Sequence, residues 1–126
     1  TKLKTKEEIL EKICVLLGGR VAEATFCGGI TTGAADDIEK STALAYQYVA
    51  QFGMHNDIGP INCVKNKKYS EKLRAAIDDC VHVLTKGCYE RTTKIIESNK
   101  SKIEKMTEAL LERETLNQRD IEILFE

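Results

Sequence analysis

Two adjacent aspartates, Asp36 and Asp37, follow the segment TTG at 31–33 and precede an apolar stripe with helical spacing. The helix dipole stabilises acids at a helix start by about 0.3–1 kcal/mol, so periodicity alone favours a structural role. The other interpretation is a metal ligand. Asp36 lies four residues before Lys40 and can form an exposed ion pair. Asp37 follows the edge of the stripe without such a partner, where a carboxylate needs a cation or hydrogen-bond donors.

Few other residues have the spacing that catalysis requires. Nucleophilic catalysis needs a base beside the nucleophile, and the chain contains only two histidines, His55 and His82. His82 has neither a cysteine nor an acid at i+4, and neither histidine has a second histidine at helical spacing, so we expect a structural role for each. The sequence contains no GxxxxGK[ST] and no GxGxxG pattern, which excludes the usual loops that bind nucleotide phosphates.

The charge balance excludes partners that are recognised mainly through a strong field. The formal net charge is −1 although 31% of the residues are charged, so nothing points to nucleic acid or an anionic surface. The basic run Lys65, Lys67, Lys68 is short, and we interpret it as a solvated loop. No apolar run approaches the roughly 20 residues of a membrane span, so we expect this chain itself to be soluble.

The five cysteines indicate reduced thiols. Their number is odd and no CxxC pair occurs, which argues against a disulfide framework and against a zinc knuckle. Cys80 and Cys88 fall on the apolar side of a helical pattern, where a free cysteine packs as a small hydrophobic residue.

Apolar spacing and capping residues predict a succession of helices. Thr5 and Glu8 form a capping-box pattern that starts the first helix near Lys6. Further helices are expected at about 34–51, from Ser70 to 98, around 103–111 and at 119–125, the last behind a Thr115–Gln118 capping box. Gly87 interrupts the longest helix, at a cost of about 1 kcal/mol relative to alanine, which suggests close packing there.

Glycine and proline separate these helices. The double glycine at 18–19 either permits close helix packing or marks a break, and the glycine-rich segment 26–33 must be a loop. Residues 55–68 contain the one proline and form a long connection. We therefore expect an all-α helical bundle with one long helix and a long Gly/Pro-containing connection. A length of 126 residues fits one domain, 1–126.

Several short motifs resemble the FtsH-type membrane-anchored AAA+ zinc metalloproteases. LGGRVAE at 17–23, FCG at 26–28 and TTGAADDI at 31–38 are similar to the family's LGGRxAE, FG and TTGAxxDL segments. FGM at 52–54, IGP at 58–60, YSE at 69–71, YER at 89–91 and LLERETL at 110–116 follow in the family's order. The resemblance covers nearly the whole chain. Its landmark residues are Gly18, Gly19, Arg20, Glu23, Thr31, Thr32 and Gly33.

The resemblance implies a role for Asp37. In that family two histidines of an HExxH helix and the aspartate of TTGAxxD hold the zinc, and Asp37 matches this aspartate. The chain contains no HExxH, so it is expected to be inactive alone and to be the C-terminal, helical part of the peptidase domain. The HExxH helix, the AAA+ module with its ATP and Mg, and the membrane anchor would then lie upstream.

Two functions follow from this resemblance. The first is part of an ATP-dependent zinc endopeptidase that degrades unfolded or unassembled membrane and soluble proteins. It would act as a homo- or hetero-hexamer at the mitochondrial inner membrane, a plastid membrane or the bacterial inner membrane. The second is a degenerate, inactive homologue that serves as a helical scaffold or assembly subunit.

Overall fold

The computed structural model describes residues 3–63, 70–109 and 118–126, and within these ranges the regular structure is entirely helical. The helices are α1 Lys6–Phe26, α2 Ala35–Tyr46, α3 Glu71–Ser98, α4 Lys100–Ala109 and α5 Gln118–Leu124. A 3₁₀ turn, Thr32–Ala34, precedes α2, and a π-helical turn, Gln47–Gln51, continues it. The predicted all-α fold is confirmed. The predicted capping residue Thr115, the lysines of the 65–68 run and the whole LLERETL segment at 110–116 lie outside the described residues.

Local sequence signals set the helix starts. The Thr5 side chain accepts a hydrogen bond from the Glu8 backbone N–H at 3.1 Å, and the Glu8 carboxylate accepts one from the Thr5 N–H at 3.3 Å. This reciprocal pair is the predicted capping box, and it satisfies backbone donors that the helix itself cannot. Ser70 caps α3 through a single bond, in which its side chain accepts from the Leu73 N–H at 3.1 Å.

The connection after α2 folds back onto the π-helical turn. Gly53 has a φ of +63°, which favours glycine, and a Cβ there would lie 2.7 Å from the Pro60 Cα. The Met54 N–H donates to the Tyr48 carbonyl at 3.1 Å, and the Cys63 N–H donates to the Ala50 carbonyl at 2.6 Å. Residues 52–63 therefore form an ordered segment packed against the end of α2.

Two glycines within helices, Gly18 and Gly87, differ in what faces them. A Cβ at Gly18 would lie 2.6 Å from Cγ2 of Ile121, so α5 packs directly on the α1 backbone, and α1 continues through both glycines. A Cβ at Gly87 would meet no atom within 4 Å. The prediction of close packing at Gly87 is therefore wrong, because that glycine faces open space on α3.

The core consists of two hydrophobic clusters. The larger joins α1, the end of α2 and α3, and includes Ile13, Leu17, Ala45, Val49, Ile77, Val81 and Cys88. The smaller contains Val15, Val21, Ile96, Ile103 and Ile121. Side chains also bond to backbone across the α1–α3 contact, where the Thr92 hydroxyl donates to the Cys14 carbonyl at 3.1 Å. Burial of Cys88 agrees with its predicted core position.

None of the helices in the described part of the chain is long and apolar enough to cross a membrane.

Candidate functional site

Asp37 lies in the first turn of α2, where the preceding loop fixes its position. The Thr31 side chain accepts a hydrogen bond from the Gly33 N–H at 3.1 Å and so caps the 3₁₀ turn that leads into α2. Two carboxylates, Asp36 and Asp37, then occupy the positive end of the helix. Asp36 is exposed, whereas Asp37 is partly buried. The loop therefore delivers the aspartates to a helix start, as the sequence predicts.

Gln118 holds one oxygen of Asp37. Its Nε2 donates to Asp37 Oδ1 at 3.0 Å, while its Oε1 accepts from Lys12 Nζ at 3.1 Å. The two bonds use the amide's donor and acceptor consistently and join α5, α2 and α1. Among the described residues, Asp37 Oδ2 makes no hydrogen bond. One oxygen of Asp37 is thus oriented and the other is available.

Glu23 connects the LGGRVAE segment to the TTG loop. Its Oε2 accepts hydrogen bonds from the Thr31 hydroxyl and, at 3.2 Å, from the Thr31 N–H. The Glu23 side chain is buried, and its Oε1, like the Nε of Arg20, has no partner within the described residues. Bonds to a carboxylate are stronger than neutral ones, so Glu23 is the main anchor of the loop that precedes Asp37.

The remaining landmark residues have supporting positions. Gly18 admits Ile121 of α5, and a Cβ at Gly19 would be in ordinary contact, 3.9 Å from the Cβ of Ala34. Thr32 and Gly33 are exposed in the 3₁₀ turn. Among the landmarks, Glu23, Thr31, Thr32 and Gly33 form or hold the loop before Asp37, whereas Gly18 serves the packing of α5 on α1.

The structure brings together three residues that sequence reasoning did not connect. His55, Asp57 and Cys80 each place a potential metal-ligating atom within 4.8 Å of the others. Burial raises the pKa of the Cys80 thiol, and the carboxylates of Asp57 and Asp79 raise it further. No local spacing could have revealed this group, since Cys80 comes from α3 and the other two from the connection. His82, by contrast, is exposed on α3.

The residues around Asp37 fit one part of a catalytic zinc site. Such sites use three protein ligands and leave one position for water. A partly buried carboxylate with one oriented and one available oxygen is suited to be one ligand. Within the described ranges, Asp37 belongs to no group of three metal-ligating side chains. A zinc ion at Asp37 would therefore need its other two protein ligands from outside the described residues.

The sequence profile described as "Peptidase family M41" matches residues 1–124. The chain belongs to peptidase family M41. This finding agrees with the resemblance to FtsH-type proteases and with the all-α fold, and it identifies the chain as a C-terminal peptidase portion of such a protease.

Individual M41 relatives support the same assignment. Over 94% of its length the chain is 42% identical to mouse "Mitochondrial inner membrane m-AAA protease component AFG3L2", of which it covers 16%. Over 90% of its length it is 36% identical to "ATP-dependent zinc metalloprotease FtsH" of Thermotoga maritima, of which it covers 21%. Over 98% of its length it is 34% identical to the Bacillus subtilis FtsH, of which it covers 22%. The chain thus spans only a small part of these relatives.

Proposed function

We propose that this chain supplies the third, acidic zinc ligand, Asp37, and helical scaffold to an ATP-dependent zinc endopeptidase. The observation that carries the proposal is the geometry at Asp37, where Gln118 holds Oδ1 at 3.0 Å and Oδ2 makes no hydrogen bond within the described residues. Ligating carboxylates are typically held by such outer contacts, which orient them toward the metal.

The chain's own residues would act by positioning. Glu23 and Thr31 hold the loop, the helix start presents Asp37, and Gln118 orients its carboxylate. A zinc ion bound there would polarise the peptide carbonyl and activate water. Residues 1–126 would form one helical domain, the C-terminal portion of the peptidase domain. The HExxH ligands and general base would belong to the preceding part of the parent protein.

The relatives' names extend the proposal to the whole parent. They describe an ATP-dependent zinc metalloprotease and a component of the mitochondrial inner membrane. We therefore propose polypeptide substrates, unfolded or unassembled, and a hexamer of like subunits. An AAA+ module would bind ATP and Mg, and an anchor would attach the parent to the mitochondrial, plastid or bacterial inner membrane.

Paired substitutions of the adjacent aspartates in the intact parent test the proposal. Asp37→Asn should lower peptidase zinc content and casein hydrolysis by more than the roughly 10–100-fold typical of outer-contact changes, because it alters a ligand. ATP hydrolysis should stay near the wild-type rate. Asp36→Asn is the matched control, since Asp36 is exposed at the next position, and it should leave both activities unchanged. Full zinc occupancy and normal proteolysis in Asp37→Asn would contradict the assignment.

A scaffold function without catalysis is the second candidate, and the Gln118 contact favours it. That contact and the helix dipole satisfy Asp37 in part without a metal, so the carboxylate is compatible with a protein that has lost its zinc. Zinc analysis of the purified parent separates the two candidates. A parent without HExxH, without peptidase zinc and without proteolysis would be a scaffold subunit.

A further inference from the structure

A group of metal-ligating side chains lies at the opposite end of α2 from Asp37. The ligand atoms of His55, Asp57 and Cys80 are mutually within 4.8 Å. In the residues that the structure describes, this is the one group of three or more such side chains. The group joins two segments, because His55 and Asp57 belong to the connection 52–63 and Cys80 belongs to α3.

The connection holds His55 in place before any ion binds. The His55 carbonyl accepts from the Gly59 N–H at 2.8 Å, which closes the turn that contains Asp57. The His55 ring packs edge-on against Tyr48, with centroids 6.5 Å apart and an interplanar angle of 88°. Tyr48 is itself buried in the larger core cluster. A side chain fixed in this way loses little conformational entropy when it becomes a ligand.

Metal binding through Nδ1 of His55 would break one hydrogen bond. The Asp57 N–H donates to His55 Nδ1 at 3.2 Å, near the long end of the range for such bonds. Both residues of this bond are accessible, with His55 partly buried and Asp57 exposed, so water can replace the lost partner. The same bond already keeps the imidazole and the Asp57 carboxylate on one side of the turn.

The chemical types of the three donor atoms indicate which metal ion would bind. A thiolate and an imidazole beside one carboxylate are typical of zinc, whereas calcium and magnesium prefer oxygen ligands throughout. Ligand distances of about 2.0–2.3 Å around zinc require the three atoms to come somewhat closer together than the 4.8 Å limit, which partly exposed side chains can do. Three protein ligands leave a fourth position for water.

We propose that His55, Asp57 and Cys80 form a zinc site that ties the connection 52–63 to α3. This site is separate from Asp37, which belongs to no such group among the described residues. With three protein ligands the site would stay open to water, unlike a closed four-ligand structural site, but the ion would still link two segments of the chain. The bound ion links the segment after α2 to the longest helix and stabilises the folded chain by mass action.

Cobalt substitution of the 126-residue chain tests the site directly. A Co²⁺–thiolate bond gives a strong near-ultraviolet charge-transfer band, which carboxylate ligation at Asp37 cannot produce. The wild-type chain should show this band with a saturable, stoichiometric titration. Cys80→Ser should abolish it, and His55→Ala should weaken Co²⁺ binding by at least about tenfold.

Two controls separate this site from other thiols and from the proposed peptidase site. Cys27→Ser removes an exposed cysteine outside the group, and Asp37→Asn removes the proposed peptidase ligand. Both should keep the band, so a failure of the peptidase assignment would leave this result unchanged. Far-ultraviolet circular dichroism confirms that each variant is folded.

A second measurement covers the case in which Cys80→Ser does not fold. Zinc should raise the Tm of the wild-type chain, and the folded Asp57→Asn variant should show a smaller rise. The absence of a charge-transfer band in folded wild-type chain would overturn the proposal. So would a band that survives in Cys80→Ser but disappears in Cys27→Ser.

Discussion

The two ends of α2 carry candidate sites of different construction. At its N-terminal end, Asp37 is presented by a loop that Thr31 and Glu23 hold, and the only described side chain bonded to it is Gln118. At its C-terminal end, the donors His55, Asp57 and Cys80 already lie together without any recognisable motif. The sequence motif predicts the site at the N-terminal end, but the described residues supply only one candidate ligand there. At the C-terminal end three candidate ligands lie together, although their spacing in the sequence does not predict a site.

The difference shows what each kind of site requires from the fold. The proposed zinc site at Asp37 needs a local helix start, which neighbouring residues supply, and would need further ligands from outside the described residues. The His55 group needs the connection 52–63 to fold back and α3 to pass beside it. The C-terminal end should therefore be the more sensitive of the two to backbone changes.

The largest expected effect is a test of that sensitivity at Gly53. Gly53→Ala places a Cβ 2.7 Å from the Pro60 Cα at a φ of +63°. The positive φ alone costs about 1–3 kcal/mol, and backbone overlap adds to it. Chemical denaturation should show a loss of unfolding free energy above about 2 kcal/mol, with a weaker Co²⁺–thiolate band.

Gly59→Ala is the matched control for this change. Gly59 also has a positive φ, +87°, but a Cβ there would meet nothing within 4 Å. It should show the backbone strain without the overlap, and so a smaller loss of stability. Equal losses in the two variants would mean that the packing against Pro60 does not hold the connection.

An intermediate effect is expected where α5 packs on α1. Gly18→Ala forces a Cβ to 2.6 Å from Ile121, which is almost fully buried. Overpacking of about 1–3 kcal/mol should outweigh the roughly 1 kcal/mol that alanine gains in a helix. Thermal and urea denaturation should therefore show destabilisation.

Gly87→Ala should stabilise the chain, whereas Gly18→Ala should destabilise it, if the packing described for the two glycines is correct. With no atom within 4 Å of the new Cβ, the helix gain remains and should stabilise the chain by about 0.4–1 kcal/mol. A stabilising Gly18→Ala together with a destabilising Gly87→Ala would contradict the packing described for both glycines.

The smallest expected effect concerns the contact that orients Asp37. Gln118→Ala removes one hydrogen bond to a carboxylate and should lower stability by only about 0.5–1.5 kcal/mol, because water can reach the site. In the intact parent it should nevertheless weaken peptidase zinc binding by roughly 10-fold or more. Zinc-competition titration with a chelator measures this difference.

Lys12→Met separates the two bonds that Gln118 makes. It removes the Lys12–Gln118 bond but keeps Gln118 beside Asp37, so zinc affinity should change less than in Gln118→Ala. An equal loss in both variants would show that Gln118 acts through Lys12 rather than by orienting Asp37.

Sequence reasoning succeeded where a feature depends on near neighbours. The Thr5–Glu8 capping box and the Ser70 cap are local, and the structure confirms them. The helix start at Asp37 also follows from residues that adjoin it. The family assignment came from ordered motifs rather than from physics. The role of Asp37 as a zinc ligand stays a prediction.

The features that the sequence does not predict correctly all depend on tertiary contacts. A glycine in a helix indicates missing bulk but not what faces it, so the sequence predicts close packing at Gly87, where the structure shows open space, and only as one of two alternatives at Gly18, where Ile121 packs. The Gln118–Asp37 bond joins residues 81 positions apart. Cys80 was correctly placed on α3, but nothing local indicates that the connection returns to it.

The contact between Gly18 and Ile121 also bears on the biosynthesis of the chain. Lys12 of α1 bonds to Gln118, 106 positions later, and Ile121 fills the space above Gly18. During translation, this part of the apolar surface of α1 therefore stays uncovered until α5 has left the ribosome. Contacts of such long separation form slowly, and apolar surface that stays uncovered in that interval favours aggregation.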